Sequence, residues 1–312
     1  MISLIMLTYN RMNLVSNMIN DILKQTYDDY ELVIINNGST DSTGRLLKNF
    51  ALRDKRFRII ELDKPVTIGK ARNIGVAASK GDFLAFVDDD DRISEDYLDF
   101  LLSLLEDNKS DISICGCSEG DGITRIPQCI YDEKMVVSGR LATEMLLRRE
   151  KIRAGMPTKL YKREIIVKYP FDENCKNEDI HTQYKYLLEA GRVAMHGIDK
   201  YYILRHGGNV SEFTAVSSKW TKEILRDYLR AYSDRTAYIK EKAPDLLVLQ
   251  KYCEWSFWIS MIDKIETNDL VDCKQIEDDL KQKLWEVKDA FLNDKEIKDF
   301  ETAWMERYVL NG

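Results

Sequence analysis

Gly81-Asp-Phe-Leu-Ala-Phe-Val-Asp-Asp-Asp-Asp91 is the stretch on which the fold turns: five apolar residues, Phe83 to Val87, then four consecutive aspartates, Asp88 to Asp91. The apolar run has the brevity of a buried strand. Neighbouring carboxylates raise one another's pKa, so four of them where a buried strand emerges call for a cation, a helix N-terminus or solvent. Two readings meet that need. One is a solvated acidic turn leading into a helix over Glu95 to Glu106 capped by Ser94, since acids favour helix starts. The other is a bound divalent metal. A calcium loop of the EF-hand type is excluded, because its required sixth-position glycine would be Ile93.

Working outward, the same strand-then-polar-loop pattern recurs upstream. Ile2 to Leu7 is a short apolar run that stops at Thr8-Tyr9-Asn10-Arg11, and Leu14, Met18 and Ile22 supply the apolar face of a following helix. Glu31 to Ile35 is a second strand, ending in Asn36-Asn37-Gly38-Ser39-Thr40-Asp41; Ser39 to Asp41 offers caps for a helix to about Arg53. Phe57 to Leu62 reads as a third strand, and a third helix around Lys70 to Ser79 is expected to end at Gly81 as its C′ residue. Strands alternating with helices in this way predict an α/β fold with a parallel, doubly wound sheet. Ligands bind such sheets outside the carboxyl ends of the strands, so Tyr9, Asn36 and the aspartates should converge.

The chain of 312 residues is 44% hydrophobic with 5 prolines, enough for a large domain or one and a half. Its net charge of −7 is spread along the whole length, which excludes a nucleic-acid binder. Six cysteines at 115, 117, 129, 175, 253 and 273 lack metal or redox spacing and read as free thiols in a reducing compartment. Met1 leads directly into a strand, and no apolar stretch reaches the roughly 18 residues of a membrane span. A cytoplasmic location is expected, with peripheral contact on the inner face of the membrane and self-association into a homo-oligomer left open.

Clustered carboxylates are hard oxygen ligands suited to Mg²⁺ or Mn²⁺. Tyr9 offers an aromatic face, Asn36 a hydrogen-bonding amide and Arg72 a planar fork for phosphate or a base edge. Singly, each has a plainer role: Tyr9 could cap the sheet edge, Asn36 could belong to a turn and Arg72 could be a solvated helix residue. Placed together at strand ends they describe a nucleoside-diphosphate site. A Walker-type loop is absent, because Gly69-Lys70 lacks the preceding glycine spacing.

These residues resemble the nucleotide-sugar-dependent glycosyltransferases of family 2, which have the GT-A fold. The matching pieces are Ser3 to Arg11, Glu31 to Asp41, Gly69-Lys-Ala-Arg-Asn-Ile-Gly75, Gly81 to Asp91 and Asn177-Glu-Asp179, in the family's order over about 1–212. The resemblance implies a GT-A domain at 1–212, with a nucleotide-binding half to about 100 and an acceptor half to 212, followed by a helical region at 213–312. It makes Thr8 and Tyr9 contacts to the base, with Asn10, Asn36 and Gly38 in the same nucleotide-sugar site. It takes Arg72 to base or diphosphate, and makes Asp88 and Asp90 the metal-binding pair with Asp89 between them. Two positions depart from the pattern. Leu7 replaces a common proline, and Asn36 replaces a base-reading aspartate; an amide both donates and accepts where a carboxylate only accepts, so the base preference is open.

On the acceptor side, Gly155 to Glu164 resembles the segment before the family's catalytic acid. Asn177-Glu178-Asp179 opens an amphipathic helix closing near Gly191. Plain N-capping would account for these acids. The resemblance instead makes Asp179 the general base and places Glu178 on the acceptor side. Tyr201 to Ser211 resembles the family's mobile loop, with Arg205 able to close over the diphosphate and His206 a further metal ligand. The implied reaction is inverting transfer from a nucleotide-sugar donor of the UDP type to a saccharide or lipid-linked saccharide acceptor in glycan synthesis. Two alternatives are a non-catalytic sugar-nucleotide binder and a nucleotidyltransferase; the latter lacks its usual glycine-rich loop here.

From about Phe213 the chain reads as helical. Trp220, Ile224, Tyr228 and Tyr232 recur at four-residue spacing, and Tyr252, Trp255, Phe257 and Trp258 follow, a pattern expected of core. Arg148 to Lys168 is strongly basic, with Arg148, Arg149, Lys151, Arg153, Lys159, Lys162, Arg163 and Lys168. A solvated helix face and attraction to an anionic acceptor or membrane both account for it.

Overall fold

A computed structural model describes residues 1–207 and 220–311, so residues 208–211 of the expected mobile loop and the expected boundary at 212/213 lie outside the described residues. The chain divides into two compact units, Met1–His206 and Gly207–Gly312.

The first unit opens with β1 (Ile2–Thr8), α1 (Val15–Leu23), β2 (Tyr30–Asn36), α2 (Thr43–Ala51), β3 (Phe57–Glu61), α3 (Ile68–Ala78) and β4 (Phe83–Asp88). It continues through β5 (Arg92–Ile93), α4 (Tyr97–Asp107), β6 (Ile112–Gly120), β7 (Ile126–Pro127), β8 (Tyr131–Ser138) and α5 (Gly139–Arg148). It ends with β9 (Lys159–Lys162), α6 (Arg163–Lys168), α7 (Glu178–Glu189) and β10 (Arg192–Leu204). The sheet order is β3-β2-β1-β4-β9-β6-β10-β5, with β7 beside β6 and β8 beside β10. From β3 to β4 all neighbours are parallel, as expected. The sheet then becomes mixed: β9 inserts antiparallel to both β4 and β6.

Both faces of the parallel half are covered, which is why its strands are almost continuously buried. Leu4, Met6, Leu32 and Ile34 face a core filled by Val15, Met18, Ile19 and Ile22 of α1, while Val33 and Ile35 face Ala71 of α3. Burying each such aliphatic side chain contributes about 1.5–3 kcal/mol, so the strand ends are carried by a rigid base.

Three local expectations are corrected. Helix α3 does not end in a left-handed Gly81. Its end is closed by Ser79, whose Oγ donates to Val76 O at 2.7 Å, and by Arg163, which reaches Ser79 Oγ at 3.0 Å and Gly81 O at 2.5 Å. Gly81 is instead needed for close approach, since a Cβ there would lie 2.6 Å from Ser3 N. Ser94 does not cap α4: its Oγ donates to Asp96 Oδ1 at 2.8 Å, because the two-residue strand β5 pairs with β10 and delays the helix to Tyr97. The basic run at 148–168 is not one helix face, although Arg149, Arg153 and Lys168 of it are exposed. It spans the end of α5, β9 and α6; Lys159 is fully buried, Lys162 pairs with Asp111 at 2.7 Å, Arg148 with Glu144 at 3.2 Å and Lys168 with Glu189.

In the second unit the described helices are α8 (Lys222–Lys242), α9 (Leu247–Thr267), α10 (Lys274–Leu292) and α11 (Asp299–Met305), the last followed by a wider π-type turn at Glu306–Leu310. The aromatic stripe is core, as its spacing suggested. Trp220, Ile224, Tyr232, Tyr252 and Phe257 are buried in one cluster, with Tyr228, Trp255 and Trp258 packed on it, and Tyr232 stacks on Phe257 at 4.2 Å. Among the described residues no helix is long and apolar enough to cross a membrane.

Candidate active site

Register alone brings the first three site elements together. Along the parallel ladder Thr8 lies opposite Asn36 and Leu7 opposite Asp88, so β2, β1 and β4 end level and side by side. The loops beyond them are tied to one another. Asn37 N donates to Thr8 O at 2.9 Å, and Asn10 N donates to Ser39 Oγ at 2.9 Å. The Asn10 side chain returns the bond, its Oδ1 accepting from Thr40 N at 2.8 Å. Asn10 takes a positive φ of 50°, which asparagine tolerates, and Gly38 one of 76° that suits glycine.

Thr8 and Asn36 are buried in this edge, whereas Tyr9 is 47% exposed and leaves its ring face available. The Asn36 amide accepts weakly through Oδ1 from Ser39 N at 3.4 Å, and its Nδ2 lies so close to Gly44 that a Cβ there would come within 2.9 Å. Asn36 therefore braces its own loop from a buried position.

The four aspartates take four different settings. Asp91 is structural: its carboxylate accepts from Tyr201 OH at 2.8 Å and from Leu204 N at 2.9 Å. Burial pushes its pKa well up, and Asp88 and Asp90 add to the rise. The Tyr201 hydroxyl also accepts from Asp88 N at 3.1 Å, so one phenol pins both ends of the run. Asp89 is buried too, and burial raises it to about 7 against the pull of Thr8. Asp90 Oδ2 contacts His206 Nε2 at 2.9 Å and Arg11 at 3.6 Å. Asp88, whose side chain is 48% exposed, opens onto the site; the protein packed around its carboxyl pushes its pKa up, Arg72 opposing and Asp90 and Asp179 adding, a rise that the solvent on its open side moderates.

Arg72 joins this edge to the acceptor side. It projects from α3, is buried, and makes a short ion pair with Glu178 at the start of α7 while its other nitrogen lies 3.7 Å from Asp88. Phe86 and Phe171 flank the guanidinium, with centroids at 5.6 and 5.7 Å. Burial works against its charge, but Glu178, Asp88 and Asp179 outweigh it and the pKa rises. Glu178 is pushed to about 7 by burial, with Arg72 pulling back. Asp179, next in sequence and partly exposed, keeps Oδ1 on Ile180 N at 2.8 Å and presents its carboxylate at the helix N-terminus. The bridge is the difference from expectation: Arg72 is at the site, but buried on Glu178.

Arg205 pairs with Glu119 at the end of β6. His206 reaches the aspartates through Asp90. Two contacts escaped the sequence reading. In the sequence Arg11 reads only as part of a polar loop, and its pairing with Asp90 depends on β1 and β4 being neighbours. Tyr201 is expected from the sequence at the start of the mobile loop, but Tyr201–Leu204 belongs to β10, and its bonds to Asp88 and Asp91 come from that strand's place in the sheet.

Asp88, Asp90, Asp179 and Glu178 bring four carboxyl groups to this edge against the guanidinium groups of Arg72 and Arg11. Hard carboxylate oxygens in that excess fit a hard divalent cation.

Comparison with known proteins gives the same fold from another direction. Residues 3–153 match the family model described as Glycosyl transferase family 2. The glycosyltransferase GlyG of Streptococcus pneumoniae serotype 4 is 24% identical over 250 residues, covering 75% of this chain and 80% of GlyG. The uncharacterized glycosyltransferase EpsJ of Bacillus subtilis is 30% identical over 217 residues, 67% of this chain and 62% of EpsJ, so the match spans less than two thirds of that relative. Among solved structures, Staphylococcus aureus TarS 1–349 in complex with UDP-GlcNAc superposes with a TM-score of 0.60 at 19% identity, covering 90% of this chain and 91% of that one.

Proposed function

We propose that the chain is a glycosyltransferase of family 2, whose model residues 3–153 match, with the GT-A fold that it shares with TarS, and that it transfers a sugar, with inversion, from a uridine-type nucleoside-diphosphate donor to a saccharide or lipid-linked saccharide hydroxyl in glycan or cell-surface polysaccharide synthesis. The observation that carries this reading is the Arg72 bridge. A single buried guanidinium holds Asp88 of the strand edge and Glu178 beside Asp179 in one place.

Each group then has a task. Tyr9, with its exposed ring, stacks on the base, while Thr8, Asn10, Asn36 and Gly38 form the loop edge that receives the nucleoside. The Asp179 carboxylate takes the proton of the acceptor hydroxyl as its oxygen bonds to the sugar C1; the bond from C1 to the diphosphate oxygen breaks on the opposite face and the nucleoside diphosphate leaves. No covalent enzyme intermediate is involved. Mg²⁺ or Mn²⁺ would be held by Asp88 and Asp90 with His206, and would supply charge stabilisation for the departing diphosphate. Arg205 swings from Glu119 to the diphosphate when donor is present. The uridine assignment is supported by the fold shared with TarS, whose structure contains UDP-GlcNAc.

The test is a thermal-shift series with uridine, guanosine and cytidine diphosphates, each with and without Mn²⁺, followed by release of nucleoside diphosphate from sugar nucleotides. A Mn²⁺-dependent shift with uridine diphosphate and turnover of its sugar conjugates is expected. A preference for another base would overturn the donor assignment, and tight binding with no turnover on any acceptor would leave a sugar-nucleotide binder.

A further inference from the structure

Helix α3 brings more to the site than Arg72. Gly69, Arg72 and Asn73 are spaced three and four residues apart and so share one side of the helix, and that side meets Phe171 to Glu178, the segment that leads into and opens α7. Gly69 is a helical residue whose φ is not positive, and glycine there weakens a helix relative to alanine. Close approach explains it. A Cβ at this position would lie 2.3 Å from Asp172 O and 3.4 Å from Glu178 Cβ, so only glycine lets α3 rest against the segment.

Asn73 holds the same segment one turn later. Phe171 N donates to its Oδ1 and its Nδ2 donates to Phe171 O, both at 3.0 Å, so the amide pairs with the main chain as a strand would. Nδ2 also donates to Glu173 Oε1 at 3.1 Å, and the N-cap Thr67 donates from Oγ1 to Glu173 O at 2.8 Å. The opposite side of α3 lies on the strands: Ala71 packs against Val33 and Ile35, and a Cβ on Gly75 would come within 2.6 Å of Ile5 Cγ2. One side thus rests on the sheet that carries the donor edge and the other on the segment before Asp179. With a glycine at each contact, α3 is a spacer of fixed thickness between them.

We propose that Gly69 and Asn73 are positioning residues for the acceptor base: they set how far Asp179 stands from Asp88, and thereby where the acceptor hydroxyl is held as its bond to C1 forms. Neither touches substrate. The inference rests on the transferase reading, with Asp179 as base, and a misplacement of about 1 Å costs on the order of 10²-fold in rate.

The test compares Gly69→Ala and Asn73→Asp with the unchanged protein by steady-state transfer, by calorimetric binding of uridine diphosphate with Mn²⁺, and by backbone hydrogen exchange. Asn73→Asp keeps the shape and the acceptor of the side chain and loses the donated bonds, so it reports on the grip even if Gly69→Ala disturbs folding. Ala77→Gly, an exposed change on the same helix that leaves both contacts in place, is the control. In both variants kcat should fall about 100-fold while donor KM and nucleotide binding stay within about twofold. Residues 171–182 should exchange about tenfold faster, with β1, β2 and β4 keeping their protection. The control should leave kcat and exchange at 171–182 unchanged. Unaltered exchange at 171–182 in the variants refutes the grip. Faster exchange with kcat intact, a loss carried by donor KM, or an equal loss in the control refutes the positioning role. If the unchanged protein turns over no sugar nucleotide, the transferase reading falls, and exchange at 171–182 alone decides whether α3 fixes the segment.

Discussion

Replacing Lys159 with methionine should remove a penalty that the native protein carries at neutral pH. The side chain is fully buried on β9, the strand inserted between β4 and β6, and its ammonium donates to Gly155 O at 2.5 Å and Pro157 O at 3.4 Å. Burial lowers its pKa to about 8, with Cys117, Cys129, Cys115 and Asp179 pulling upward. Against an ordinary value of about 10.4, keeping the charge at pH 7 costs about 3 kcal/mol. Because the folded pKa lies below the unfolded one, the unfolded chain binds more protons between pH 8 and 10.4, and stability rises with pH across that window. Below pH 8 the cost is constant. The variant loses two charge-assisted hydrogen bonds, which offset much of the gain at pH 7, but it also loses the pH slope. Urea unfolding of both proteins at pH 7.5 and 10 should show the native protein gaining about 2 kcal/mol on the variant. Parallel pH profiles would refute the buried-ammonium argument whatever the absolute stabilities are.

Other substitutions test the site itself. Asp179→Asn should lower the transfer rate by about 10²–10⁴-fold while leaving donor binding intact by calorimetry; an unchanged rate assigns the base elsewhere. Arg72→Met should destabilise the fold by about 3–5 kcal/mol, because a buried Glu178 loses its partner, and Arg72→Met with Glu178→Met should recover a large part of that in the same urea assay. Tyr9→Ala should weaken nucleotide binding by about 1–3 kcal/mol without lowering the melting temperature, since the ring is exposed. Asp90→Asn should abolish the Mn²⁺-dependent part of any nucleotide-induced thermal shift, leaving the metal-free shift in place.

What the sequence disclosed and what it hid follow a physical division. Strands β1, β2 and β4 are short apolar runs buried on both faces, and hydrophobic patterning registers such segments directly. Their shared edge followed from topology, so Tyr9, Asn36 and Asp88 could be grouped before any coordinates. Strand β9 was hidden because Lys-Leu-Tyr-Lys has charged ends and lies inside a basic run; its pairing is decided by β4 and β6, both distant in sequence. Gly81 and Ser94 were misassigned for the same reason, as the groups that close those segments, Arg163 and β10, come from far along the chain. Arg72 was placed at the site, but its partner Glu178 could be identified only once α3 and α7 were seen to meet.

The inserted strand also imposes an order on biosynthesis. β4, with its Phe-Leu-Ala-Phe-Val run, and β6 are both made well before Lys159–Lys162 arrives to fill the gap between them. Until then each presents an unpaired apolar edge of the kind that recruits other chains. A nascent chain whose emerged part ends between Gly120 and Lys159 would therefore hold out the nucleotide-side sheet with an open seam beside β4, an interval of translation in which a chaperone would shield that edge.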